Sequence, residues 1–197
     1  MVEHYYSKKQ TSKLKIRRIK TTLRGNKLEF YSGSGVFSIR KIDKGTRLLI
    51  EKCIIKPKWR ILDLGCGYGV VGIAIAKAFP STRVFMSDIN ERALELAKMN
   101  IELNNVRAEV IQSDIYEQIH GRFNTILVNP PQVAGKEVCF SMIEEGRDYL
   151  FKNGLFQLVA RHNKGGKELS KKMYESFGNI EAIAKSGGYR VYLSRFI

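Results

Sequence analysis

Cysteine is scarce in this 197-residue chain, and there is no long apolar run, no internal repeat and no low-complexity tract. Cys53, Cys66 and Cys139 are odd in number and show no paired spacing. That excludes a disulfide framework and a structural metal cluster, so no metal is expected, and it points to a reducing, cytoplasmic setting. No apolar run approaches the ~18 residues of a membrane span, and the first residues are charged rather than signal-like. A soluble intracellular protein without a membrane partner is therefore expected. The length suits one domain with a real core and a small extension.

Acidic residues are also in deficit, but only in one place. The chain has 34 Lys/Arg against 19 Asp/Glu. Residues 1–60 hold 17 bases and 4 acids, net +13, whereas residues 61–197 hold 17 and 15, net +2. A basic block beside a near-neutral body points to a polyanion, here RNA, and the alternative is a solvated charged surface. Lys8, Lys9, Lys13, Lys15, Arg17, Arg18, Lys20 and Arg24 are the candidates for phosphate contacts, with the steep salt dependence such contacts carry. Tyr5, Tyr6 and Phe37 are candidate stacking surfaces for an unpaired base.

Ile16, Ile19 and Leu23 recur between cations at three- and four-residue spacing, which predicts a short amphipathic helix. Residues 28–38 alternate and break at Gly33 and Gly35, which predicts a hairpin. Thr46 is placed as the N-cap of a helix over 47–55, halted before Pro57. From Trp59 onward strands and helices alternate. Strands are expected at 60–64, 83–88, 107–112, 124–129 and 154–160, and helices at 70–79, 91–103, 137–151 and 165–177. Ser186-Gly187-Gly188 joins two final strands, 180–185 and 189–196, in a tight hairpin, so the last strand is antiparallel. The expected fold is α/β: a Rossmann-like, doubly wound, seven-stranded sheet, mostly parallel, with helices on both faces. Residues 1–58 form a basic N-terminal arm with hairpin and helix, and residues 59–197 the globular body.

Trp59–Gly69, W-R-I-L-D-L-G-C-G-Y-G, is a buried strand turning sharply into a helix, its alternate glycines baring the backbone to a ligand. Gly67–Gly72 also satisfies G-x-G-x-x-G, with Asp88 about 20 residues further on, so a nicotinamide or flavin must be weighed. Asp63 lies where a pyrophosphate would pass and would repel it. Asp88, ending the second strand, can accept both ribose hydroxyls. Asp114, ending the third, can accept the amine of adenine, with Ile89 and Ile115 sandwiching the ring. Asp88 and Asp114 could each be no more than a helix or turn cap, but the three acids share the carboxyl rim where open sheets bind ligands. The fourth strand ends in Asn129-Pro130-Pro131-Gln132. Proline stops the strand and holds Asn129 extended, which presents its side-chain carbonyl and that of Pro130 as acceptors for an amino-bearing planar group. Arg161 and His162 after the fifth strand, with Tyr189 and Arg190 at the last hairpin, could line the mouth; a plain surface histidine is the alternative for His162.

The turn at Asp63–Gly69, the acids Asp88 and Asp114 and the N-P-P at 129–131 resemble a class I S-adenosylmethionine-dependent methyltransferase. The similarity is to the small-domain guanine methyltransferases of ribosomal RNA and their compact single-domain archaeal relatives. Gly35-Val36-Phe37-Ser38, Asp43-Lys44-Gly45-Thr46 and Leu48-Leu49-Ile50 resemble that family's approach to the domain, and the match covers roughly residues 28–197. It implies S-adenosyl-L-methionine as cofactor, held by Asp63, Gly65, Cys66, Gly67, Tyr68, Gly69, Asp88, Ile89, Asp114, Ile115 and Asn129. Asn129, Pro130 and Pro131 would orient the base, with Phe37, Gln132, Arg161, Tyr189, Arg190 and the basic arm on the substrate. Two departures matter. The family's exocyclic-amine enzymes place an aromatic after N-P-P, where this chain has Gln132, which weakens the exocyclic N2 assignment and raises ring N7, so the expected target is ring N7 or exocyclic N2 of guanine. Bacterial ribosomal members also carry a second, N-terminal half, where this chain has only a basic arm. The expectation is a guanine methyltransferase of structured RNA, tRNA preferred and ribosomal RNA possible, acting as a monomer or homodimer. The rivals are a protein or small-molecule methyltransferase, a nicotinamide-dependent reductase, and an RNA-binding module with a vestigial pocket.

Overall fold

The computed structural model describes residues 8–10 and 13–197. Tyr5 and Tyr6 lie outside the described residues, as does the side chain of Gln132. Two antiparallel strands come first, β1 (Ile16–Leu23) and β2 (Asn26–Gly33), joined by a turn at Arg24 and Gly25 and paired from Ile16↔Gly33 to Leu23↔Asn26. This corrects both the helix expected over the first stretch and the hairpin expected within 28–38. A spacing of four residues puts Ile19 and Leu23 on one face of a helix and equally on one face of a strand. The β-branched Ile16, Ile19, Thr21 and Thr22 favour the strand, and Ile16 falls on its other face, 49% exposed.

Helix α1 runs Lys44–Lys52. Its cap is Asp43, whose carboxylate accepts from the Thr46 amide at 3.0 Å, so Thr46 lies inside the helix rather than capping it. This helix also begins and ends earlier than expected, leaving Cys53–Pro57 as its exit.

Then follow β3 (Arg60–Leu64), α2 (Val70–Ala78), β4 (Arg83–Asp88), α3 (Glu91–Asn104), β5 (Ala108–Gln112), β6 (Phe123–Val128), α4 (Lys136–Glu144), β7 (Leu150–Arg161), α5 (Lys167–Phe177), β8 (Glu181–Ser186) and β9 (Tyr189–Arg195). The helix expected over 137–151 stops at Glu144. At Gly146 a Cβ would come within 2.6 Å of the Phe156 ring and 2.8 Å of the Tyr116 hydroxyl, so the chain tightens into a 3-10 turn and β7 starts early.

The seven strands lie in the order β5-β4-β3-β6-β7-β9-β8. β3 to β7 are parallel, and β9 runs antiparallel to both β7 and β8. Side chains alternate between two cores, as a sheet covered on both faces requires. Ile61, Val84, Met86, Leu127, Val159 and Val191 pack with α1, α2 and α3. Leu62, Leu64, Phe85, Ile126, Val128 and Phe156 pack with α4 and α5.

The β1–β2 hairpin joins the first of these cores through Leu23, Leu28 and Phe30. Its β2 edge is closed by two side-chain amides one helical turn apart on α3. Asn100 accepts from the Tyr31 amide at 2.6 Å and donates to the Tyr31 and Tyr68 carbonyls at 2.9 Å each. Asn104 accepts from the Glu29 amide at 3.1 Å and donates to its carbonyl at 2.7 Å. An edge that would otherwise be unpaired is thereby satisfied.

Candidate active site

At the carboxyl ends of β3, β4 and β6 lies a cavity of about 340 Å³, lined by the glycine turn, the two later acids and the N-P-P segment. Its floor is the turn after β3. Gly65, Gly67 and Gly69 all have positive φ, at 71°, 56° and 89°, so the alternate glycines are demanded by the backbone. At Gly67 a Cβ would meet nothing within 4 Å, and at Gly65 only the Met142 methyl at 3.6 Å. The bare face there is open to a ligand. Gly72 serves packing instead: a Cβ there would come within 2.4 Å of the Met86 sulfur.

Asp63 is only 2% exposed, and its Oδ2 accepts from the Gly72 amide at 2.8 Å. Burial, with the Asp88 charge adding to it, pushes its carboxyl up to about 7. Asp88 ends β4 and ties the turn down: Oδ2 accepts from the Gly67 amide at 2.8 Å and Oδ1 from the Asn90 amide at 2.9 Å. Burial raises its carboxyl too, against those backbone bonds. Each oxygen keeps a further lone pair for a hydroxyl donor. Ile89, Asp114 and Ile115 complete this side, Ile115 at φ 45° after β5. Cys66 lines the cavity, and burial raises its thiol well above the ordinary range. Tyr68 also lines it, but its side chain turns into the core, its ring edge-on to Phe30 and its hydroxyl donating to the Ser38 carbonyl at 3.2 Å.

Asn129, Pro130 and Pro131 face the same cavity. The Asn129 amide nitrogen donates to the Thr46 hydroxyl at 2.9 Å, which leaves the amide oxygen as the acceptor end. Sequence reasoning missed Asp43 and Thr46 as site residues; both line the cavity. The signal was present as Asp43 three residues before Thr46, a capping pattern that frees the threonine hydroxyl for another partner. Asp43 also accepts from the Tyr189 hydroxyl at 3.3 Å, and the Arg161 guanidinium sits 5.7 Å from the centre of the Tyr189 ring. Phe37 lines the cavity and is 40% exposed.

The expected phosphate contacts divide. Lys8, Lys9, Lys13, Lys15 and Arg17 are exposed. Lys13 and Lys15 are bonded through their backbones to Ser34, and the Lys8 carbonyl accepts from the Glu91 amide that starts α3, so the backbone of this part of the arm is tied to segments that lead to cavity-lining Val36 and Ile89. Arg18 and Lys20 pair with Glu29, the latter at 3.3 Å. Arg24 is turned inward: it donates to the Ile50 and Cys53 carbonyls at 2.5 Å each and stacks 5.0 Å above Phe79. It caps the end of α1 rather than meeting solvent.

A parallel sheet extended by an antiparallel strand, with acids at successive strand ends and a bare glycine turn, is the fold of the class I S-adenosylmethionine-dependent methyltransferases. The family described as "Methyltransferase small domain" matches residues 27–193, and the chain belongs to it. It is 36% identical over 196 residues to the uncharacterized protein YbxB of Bacillus subtilis (strain 168), covering 97% of each chain. It is 34% identical over 169 residues to the ribosomal RNA small subunit methyltransferase C of Haemophilus influenzae (strain ATCC 51907 / DSM 11121 / KW20 / Rd), covering 84% of this chain and 50% of that one. Thus it spans about half the length of that relative. The structure of the T. thermophilus 16S rRNA N2 G1207 methyltransferase, in complex with AdoMet and guanosine, superposes with a TM-score of 0.81 at 23% identity, covering 95% of this chain and 52% of that one. Among the described residues no helix is long and apolar enough to cross a membrane.

Proposed function

We propose that this chain methylates the exocyclic N2 amine of a guanine in small-subunit ribosomal RNA, with S-adenosylmethionine as cofactor. The cavity fits that cofactor on its own terms. The backbone is open at Gly65 and Gly67, Asp88 and Asp114 stand at the rim, and a buried acid in place of a cationic cradle disfavours a pyrophosphate. Asp63 would answer the α-ammonium charge, Asp88 the ribose hydroxyls, and Asp114 the adenine amine between Ile89 and Ile115.

The observation that carries N2 over N7 is the bond from Asn129 to Thr46. It takes up one of the amide's two N–H groups and fixes the side-chain oxygen as the acceptor end, with the Pro130 carbonyl next along the chain as a second acceptor. An exocyclic amine has two N–H bonds to offer such acceptors. Ring N7 has none, and its lone pair would face oxygen. This weighs more than the missing aromatic after N-P-P, because Phe37 offers a stacking face from another loop. The relatives named for ribosomal RNA favour that substrate over the tRNA expected from a basic arm standing where ribosomal members carry a second half.

When bound, the cofactor supplies a methyl group on a positively charged sulfur. Asn129 and Pro130 hold the amine in line with it and accept its N–H bonds, which localises the nitrogen lone pair and eases the positive charge that develops there. Phe37 and Pro131 hold the plane of the base.

The test is labelled methyl transfer to small-subunit ribosomal RNA and to tRNA, followed by nucleoside mass spectrometry. N2-methylguanosine from ribosomal RNA is expected, and inosine at the target should abolish transfer whereas 7-deazaguanosine should not. Label confined to tRNA, or N7-methylguanosine as product, would overturn the proposal.

A further inference from the structure

Beyond the cavity, the rim of the sheet carries a second group of cations. Lys185 and Arg190 stand directly opposite each other across the β8–β9 pair, next to the Ser186↔Tyr189 pair and the Gly187–Gly188 turn. Like charges so placed repel. The turn between β7 and α5 and the first residue of α5 bring Lys164 and Lys167 to the same end of the sheet. Among the described residues, none of these four makes an ion pair. Three of the acids of α4 and α5 are committed elsewhere, as Lys136–Glu168 at 3.6 Å, Lys171–Glu175 at 3.7 Å and Lys172–Glu144.

His162 sits among these cations. Its amide donates to the Gly188 carbonyl at 2.9 Å, and its Nδ1 lies 2.6 Å from the Tyr192 hydroxyl, which Ser170 and Arg190 also reach. Partial burial, then Arg190, Lys167 and Lys185, hold the imidazole below its ordinary range. The group therefore repays an anion: a like-charge pair is relieved and a histidine that resists a proton can take one.

From this geometry we infer that Lys167, Lys185 and Arg190, grouped around His162, bind one backbone phosphate of the RNA beside the target nucleotide. The inference rests on the RNA reading above and extends it to a residue set outside the methyl-transfer pocket. The distance suits the role. β9 is two strands from β6, whose end carries Asn129, and at the usual strand spacing that is about 10 Å.

The test uses the full chain and a short single-stranded RNA containing one guanine. The His162 ring resonance, assigned by its loss in His162→Gln, is titrated with and without the RNA. Saturating RNA should raise its pKa to the ordinary histidine range or above. In the double variant Lys167→Gln/Lys185→Gln that rise should vanish. Its plot of log Kd against log salt should flatten by about 0.7, the single-strand value for one phosphate. S-adenosylhomocysteine affinity should not change, which shows the variant is folded. Lys152→Gln, an exposed lysine near the other end of β7, should keep the wild-type slope. A His162 pKa unmoved by RNA, or a double variant with the wild-type slope, overturns the phosphate site while RNA methylation stands. A wild-type chain that binds no RNA even at low salt overturns both readings.

Discussion

Replacing Asp63 by asparagine should strengthen the fold at neutral pH and weaken the cofactor site, and the structure sets the size of both effects. The carboxyl is 2% exposed with one backbone donor, Gly72, and burial raises it from 3.8 to about 7. A folded-state pKa above the unfolded one means the native chain holds a proton that the unfolded chain has lost. Stability therefore falls as pH rises from about 4 to about 7 and is flat above. Between pH 5 and pH 8 about two units of that titration are crossed, worth roughly 3 kcal/mol. Asparagine keeps an acceptor for the Gly72 amide and has no charge to bury, so its profile lacks this slope. Urea unfolding of both proteins at pH 5 and pH 8, without cofactor, isolates the effect, since other titrations are common to the pair. In the same variant S-adenosylhomocysteine should bind roughly 10- to 150-fold more weakly, the loss expected for a hydrogen bond to a charged group of about 1.5–3 kcal/mol. Parallel pH profiles would refute the burial argument. Undiminished affinity would refute the role given to the carboxylate.

Asn129→Ala removes the acceptor set for the amine and should lower kcat about a hundredfold or more while S-adenosylhomocysteine affinity, by calorimetry, stays within a few-fold. Thr46→Val deletes the hydroxyl that holds the Asn129 amide and should lower kcat about tenfold with little change in KM; Thr46→Ser should restore it, and equal activity of the valine variant would show that the bond does not orient Asn129. Phe37→Ala should cost about 1–3 kcal/mol of base stacking, read as roughly a 5- to 150-fold rise in KM for RNA, with Phe37→Tyr close to wild type. Asn100→Ala orphans the Tyr31 backbone groups and the Tyr68 carbonyl and should lower unfolding free energy by roughly 2–4 kcal/mol in urea titration, with kcat falling less than for Asn129→Ala.

The seven-stranded sheet could be read from the chain because its strands sit between helix patterns with few competing signals. From Trp59 onward a period of two or a solid apolar run gives way to a period near four at each junction, and β3 and β4 fall on Arg60–Leu64 and Arg83–Asp88 as expected. The cavity was legible for a different reason. Its chemistry is fixed by short local patterns at strand ends, and parallel topology brings every such end to one rim. Asp63, Asp88, Asp114 and Asn129 are separated by many residues in the chain, yet all line one cavity. Missing were the contributions from the first turn of α1 and its cap, Asp43 and Thr46. No local pattern shows that Thr46 reaches Asn129 across 83 residues, because that contact exists only once α1 has packed on β7 and β9.

The hairpin shows why the basic stretch is the hardest part to read. Apart from Arg24 its cations are solvent-facing and carry no periodicity of their own, so the apolar residues alone must report the structure, and Ile19 and Leu23 at a spacing of four fit either element. What settles the strand lies outside it. Asn100 and Asn104, one turn apart on α3, offer paired donor and acceptor groups that match the repeat of a strand edge, and they hold Tyr31 and Glu29 two residues apart. With β2 clamped on that edge, a helix over Ile16–Leu23 would leave the other edge of β2 without the strand that pairs it from Ile16↔Gly33 to Leu23↔Asn26. The same clamp fixes which cations the protein can offer a polyanion: it sets the register that pairs Glu29 with Lys20 and turns Arg24 onto the end of α1. Lys13 and Lys15 are bonded through their backbones to Ser34, two residues before cavity-lining Val36. Charge counted along the sequence therefore overstates the charge left free for the proposed RNA, because the hairpin register pairs Lys20 with Glu29 and commits Arg24 to α1.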